Sequence, residues 1–110
     1  MKLPQAHQAV IAKAKITDYL LSFDHPYGRS KARFFAQNGF SVARWQELET
    51  ALLRHATTGD IVATIETPYG MKYVIEGPIN TPRNTSPTIR AVWFIEPSDR
   101  TPRFVTAYPS

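Results

Sequence analysis

His25 opens the run His25-Pro-Tyr-Gly28, and Arg29, Lys31 and Arg33 follow it at once. An imidazole takes up or releases a proton around neutrality because its ordinary pKa lies near ~6.5, so a loop histidine beside cations is a candidate general acid or base. Turn formation or helix capping explains the same residue equally well. The other histidines have plainer explanations. His7 falls in a terminal arm, and His55 sits at the C-terminal end of a helix, where the dipole or the core edge accounts for it. Lys31 is unusual for its position. On a helix starting near Ser30, the residues Ala32, Phe34, Phe35 and Ala36 form one broad apolar arc, and Lys31 falls between the phenylalanines rather than on the Arg33 and Gln37 side. Either its stem carries the ammonium past the aromatics to water, or a fixed charge projects from the core edge into a cleft.

Several chemistries find no residues to perform them. The 110-residue chain has no cysteine, which removes disulfides, thiolate nucleophiles and cysteine-bound metals, and suits a reducing compartment with a cytoplasmic location as the default. It contains no glycine-rich phosphate loop, no His-Glu-x-x-His pair and no nucleophile elbow, and its three histidines are too scattered for metal ligation. Neither a metal nor another cofactor is expected. No window approaches the ~20 apolar residues of a membrane span, and the N-terminus lacks the apolar run of a signal peptide. A formal net charge of +4 attracts nucleic acid or acidic proteins through its long-range field.

The elements that must position these groups follow from periodicity. Residues 1–13 read as an arm, 14–58 as a helical half and 61–108 as a sheet, together one domain over 1–110. Ile16, Tyr19 and Leu20 make a short amphipathic helix that stops before His25-Pro26. A second helix runs from near Ser30 to Gly39, and Ser41 is placed to cap a third, longest one that carries Trp45, Leu48 and Leu52 on one stripe. Four strands follow, around 61–67, 71–76, 88–96 and 103–108, joined by turns rich in proline and glycine. Helices followed by strands predict an α+β fold, with N-terminal helices packed on one face of a four-stranded antiparallel β-meander. Alternation assigns Ala63, Ile65, Met71, Tyr73, Ile75, Ile89, Ala91, Trp93 and Ile95 to the helix-covered face. The opposite face receives Thr64, Glu66, Lys72, Glu76, Arg90, Thr106 and Tyr108, a set suited equally to solvent and to a polyanion.

A set of motifs spread over nearly the whole chain carries a resemblance. Asp18-Tyr-Leu-Leu, His25-Pro-Tyr-Gly28, Lys31-Ala-Arg-Phe-Phe35, Gly39-Phe40, Tyr69-Gly70 with Tyr73, Arg90-Ala-Val-Trp93 and Val105-Thr-Ala-Tyr-Pro109 resemble an uncharacterised family of small bacterial proteins. More remotely, the order of parts is similar to the barnase–EndoU–colicin–RelE group of ribonuclease toxins, which have N-terminal helices with a His/Lys motif, a four-stranded sheet and a hydroxyl-bearing last strand.

That resemblance implies cleavage of RNA without a metal, the ribose 2′-hydroxyl attacking the adjacent phosphorus. By motif position His25 is the implied acid or base, Lys31 and Arg90 the groups that stabilise the phosphorane, and Thr106 and Tyr108 those that orient the phosphate or donate a proton. Arg29, Arg33 and Lys72 are the implied backbone-binding cations. Many of these nucleases carry a histidine on the last strand where this chain has Thr106-Ala-Tyr108. The implied partners are RNA, with transfer RNA one candidate, and a small cognate antitoxin or immunity protein. The competing expectation is a non-enzymatic module that binds a small protein, with Tyr69, Tyr73, Phe104 and Tyr108 as aromatic anchors.

Overall fold

In the computed structural model, which describes residues 1–110, the chain forms helices first and a sheet second. A short helix α1 (Lys13–Lys15) widens into a single π turn over Ile16–Leu20, closed by the Leu21 amide donating to the Ile16 carbonyl at 2.9 Å. Helix α2 (Arg29–Gln37) buries Ala32 and Phe35 and ends on Gly39, whose φ of 98° is left-handed. There the Phe40 amide bonds the Phe35 carbonyl and the Gly39 amide bonds the Ala36 carbonyl, while the Phe35 and Phe40 rings meet edge to face. This is the Schellman termination that a glycine one position past a helix permits.

The longest helix, α3 (Trp45–Thr58), turns Leu48, Leu52, His55 and Ala56 inward. Its start differs from the expected cap. A 3-10 turn over Val42–Arg44 intervenes, and Ser41 accepts the Arg44 amide through its backbone carbonyl rather than its side chain. A tight first turn satisfies the free amides in place of a hydroxyl cap.

Strands β1 (Asp60–Thr67), β2 (Gly70–Pro78), β3 (Thr88–Glu96) and β4 (Asp99–Pro109) form an antiparallel sheet in sequence order, so the α+β meander expected from the sequence is the fold observed. Ile75, Ala91 and Ala107 lie in one register row, with Tyr73, Trp93 and Phe104 in another. These rows meet Leu20, Phe35, Leu48 and Leu52 in the core, with α3 against β2 and α2 against β4. No helix is long and apolar enough to cross a membrane.

Two parts depart from simple alternation. An irregularity between Ile61 and Ala63 shifts β1, so that Ala63 pairs with Val74 and Ile65 with Lys72, while Thr64 pairs with Tyr73 and Glu66 with Met71. Ala63 and Ile65 therefore lie on the face away from the helices, and Thr64 and Glu66 on the nearer one, the reverse of the expected assignment. Because a side chain's face has a period of 2, one inserted residue is sufficient to exchange them. Residues 1–13 are not a loose arm. Met1 accepts the Ile61 amide at 2.8 Å, Leu3 is buried, and Val10 bonds both Pro102 and Phe104 beside β4.

His55 is the buried polar group of this core, 1% exposed. Its Nε2 lies 3.1 Å from the Gly77 carbonyl, so Nε2–H donates, while Nδ1 has no partner. Burial holds its pKa below the ordinary histidine value, opposed in part by backbone contacts with Gly77 and Ile89. The unfolded chain thus binds a proton that the folded chain resists, so this stability is present above the unfolded value and is lost as pH falls toward the folded one. We expect the urea midpoint to drop between about pH 7.5 and about pH 5, and the drop to shrink in His55→Leu. Equal slopes in the two proteins would contradict this role.

Candidate functional site

The π turn and the His25 loop are pressed together at one point. Gly28 is buried, and a Cβ there would collide with the Tyr19 carbonyl oxygen and crowd its ring. Only glycine allows the loop to approach that closely. The loop is a compact turn in which the His25 carbonyl accepts the amides of Gly28 and Arg29, both at 3.1 Å. His25 Nδ1 accepts the Tyr27 amide at 3.1 Å, and the imidazole stands edge-on to Tyr19 with ring centroids 4.9 Å apart. With Nδ1 engaged as an acceptor, the neutral ring carries its proton on Nε2.

Lys31 lies beside the Tyr19 ring. Its Nζ donates to the Tyr27 carbonyl at 3.2 Å and lies 5.5 Å from the centroid of the Tyr19 ring, so the ammonium is held at the core edge. Lys15 Nζ stands 5.6 Å from the same centroid. On the sheet side Val105 is an extra residue in β4, because Thr106 pairs with Val92 while Phe104 pairs with the next residue, Trp93. Beside this bulge the Thr106 hydroxyl and the Tyr19 hydroxyl are hydrogen-bonded at 3.0 Å.

Tyr19, His25, Tyr27, Lys15, Asp18, Val105 and Thr106 line a cleft of about 670 Å³. Burial tends to raise the pKa of the Tyr19 phenol, but the Thr106 hydrogen bond and the charges of Lys31 and Lys15 outweigh it and hold the phenol below its ordinary value of 10.0. A second cleft of about 430 Å³, between α3 and the β2–β3 loop, is lined by Glu47, Arg54 and Thr81 among others and brings no comparable set of groups together.

The residues singled out in the sequence divide accordingly. His25, Lys31 and Thr106 gather around Tyr19. Arg90 and Tyr108 do not line the cleft; they pair with one another across β3 and β4, and Arg90 Nε donates to Glu76 Oε2 at 2.8 Å. The Glu76 carboxyl lies below the usual carboxylate range, chiefly through that bond. Lys72 belongs to the same outward rows of the sheet, in register with Ile65 and Phe94. Arg29 and Arg33 are exposed on α2 without an ion pair. Sequence reasoning missed Tyr19, which its spacing with Ile16 and Leu20 disguised as a core residue. The signal that could have found it is Lys15 four residues earlier, at the separation that brings a cation near an aromatic ring on a helix.

The family model described as "Domain of unknown function (DUF6883)" matches residues 2–110. The chain belongs to this family. No curated protein matches. Among solved structures, the DUF6883 chain is similar to a chain of the "Contact-dependent growth inhibition toxin - immunity protein complex from Klebsiella pneumoniae 342", with a TM-score of 0.72, 17% identity and 96% of each chain covered. At that identity the likeness is one of fold.

Two substitutions test this geometry. Gly28→Ala should cost about 1–3 kcal/mol, as overpacking does, and move His25 away from Tyr19, seen as loss of ring-to-ring nuclear Overhauser contacts. Thr106→Val keeps the shape but deletes the hydroxyl; it should cost about 1 kcal/mol and raise the Tyr19 pKa. An unchanged phenol titration in Thr106→Val would show that the bond is not formed in solution.

Proposed function

We propose that the Tyr19 cleft cleaves RNA by attack of a ribose 2′-hydroxyl on the adjacent phosphorus, as a toxin-type endonuclease. The observation that carries this reading is the Tyr19 phenol, lowered in pKa, hydrogen-bonded to Thr106 and flanked by two lysines. A phenol eased toward its anion can take the proton of the attacking hydroxyl, and fixed ammonium groups favour the charge that gathers on the phosphorane oxygens. The new bond runs from the 2′-oxygen to phosphorus and the bond to the 5′-oxygen breaks. Water protonates the departing oxygen, which leaves a 2′,3′-cyclic phosphate and a 5′-hydroxyl.

Of the acid and base roles implied for His25, its geometry suits donation. Because Nδ1 holds the Tyr27 amide, Nε2–H is a donor suited to a phosphate oxygen rather than a lone pair suited to proton abstraction. Arg29 and Arg33 support the approach of the RNA backbone, since neither is neutralised by a carboxylate. Arg90, tied to Glu76, serves the sheet face instead. The fold likeness to a chain of a toxin–immunity complex supports a toxin-system role and a protein partner.

The second reading, a non-enzymatic module that binds a small partner, rests on Tyr69, whose ring is 79% exposed at the β1–β2 turn. The other aromatic anchors expected for it give less, since Phe104 is core and Tyr73 and Tyr108 are half-buried. Purified protein should degrade total RNA in the presence of a chelator and leave cyclic phosphate ends. Tyr19→Phe should slow this by about 10²–10⁴-fold, the usual loss on removing an acid–base group, and Lys31→Ala should also reduce it. Intact RNA after incubation with the wild-type chain, or full activity in Tyr19→Phe, would overturn the nuclease reading.

A further inference from the structure

Tyr27 has no part in the reaction just described, yet it is among the most exposed large side chains of the molecule, at 78%. Its surroundings are not those of a stray surface residue. It lines the same cleft as Tyr19 and His25, with its ring centroid 6.0 Å from the imidazole. Its backbone is fixed from both sides. The amide donates to His25 Nδ1 at 3.1 Å, and the carbonyl accepts Lys31 Nζ at 3.2 Å. A backbone held by two hydrogen bonds therefore presents a ring to water at the mouth of a cleft lined by Lys15, His25 and Asp18.

An exposed aromatic face held this way costs little ordering entropy on binding, and every nucleobase has a π-face that can stack on it. A base can reach such a ring only after leaving its own stack. The bases of a duplex are paired and stacked, so the ring selects unpaired nucleotides. We infer that Tyr27 is a stacking platform for a base next to the scissile phosphate, and that the substrate of the cleft is single-stranded RNA, such as a loop, rather than duplex. This rests on the nuclease reading for its ligand class and adds the form of the RNA and the residue that selects it.

Binding of a 2′-O-methyl RNA octamer, which lacks the attacking hydroxyl, separates recognition from cleavage. Measured by fluorescence anisotropy at fixed salt, the single strand should bind more tightly than the same octamer annealed to its complement. Tyr27→Ala should weaken the single strand by about 5- to 150-fold, the range for loss of one stacked base, and leave the duplex unchanged. The bonds to His25 and Lys31 use only Tyr27 backbone atoms, so this substitution removes the ring and keeps the loop. Tyr27→Trp should restore single-strand affinity. Equal affinity for the two forms, or single-strand binding unchanged in Tyr27→Ala, would overturn the proposal. Cleavage of unmodified RNA alongside either result would leave the nuclease reading standing, whereas Tyr27-dependent single-strand binding without cleavage would sink that reading and keep only the stacking of unpaired RNA on Tyr27.

Discussion

The hydrogen bond between the Tyr19 and Thr106 hydroxyls joins the helical half of the chain to its last strand, and the cleft exists only where those two meet. Three local irregularities serve that contact. The π turn over Ile16–Leu20 buries Ile16 and Leu20 while leaving Tyr19 at the core edge. Gly28 lets the His25 loop rest on the Tyr19 carbonyl, and the extra residue Val105 lies next to Thr106 in β4. Helix widening and strand bulges both recur at functional sites because each re-aims a side chain that regular geometry would direct elsewhere.

Charge is distributed so that the cleft keeps its cations free. Three of the carboxylates, Asp60, Glu76 and Asp99, are tied to Lys2, Arg90 and Arg103 around the sheet. These exposed pairs are screened by solvent and matter more for where positive charge is cancelled than for stability. Lys15 and Lys31 lie over an aromatic ring instead of beside a carboxylate. The Thr106 hydrogen bond and, after it, the field of these lysines explain why Tyr19 can be both partly buried and lowered in pKa. Asp18, exposed on the cleft wall, is the carboxylate that lines it.

Much of the fold was legible because its signals are periodic. The change from helical to alternating spacing near residue 60 marked the two halves, and Gly39 marked a helix end that its left-handed backbone bears out. What alternation missed was insertion: one irregularity exchanged the faces of β1, and another placed the extra residue Val105 between Phe104 and Thr106, next to the hydroxyl that bonds Tyr19. Bulges are set by tertiary fit and leave no fixed residue signature. In the site, His25 and Lys31 were visible as polar residues in unexpected places. Tyr19 was not, since an amphipathic ring satisfies an apolar pattern while its hydroxyl makes a polar contact elsewhere.

The role proposed for the cleft turns on the ionisation of one phenol. Nuclear magnetic resonance titration of the protein labelled with ¹³C at tyrosine Cζ, with Tyr19 assigned by its absence in Tyr19→Phe, reads that ionisation directly. That role requires a midpoint for Tyr19 below 10.0, rising when Lys31 is replaced by alanine. A Tyr19 midpoint at or above 10.0, or one indifferent to Lys31→Ala, would contradict it.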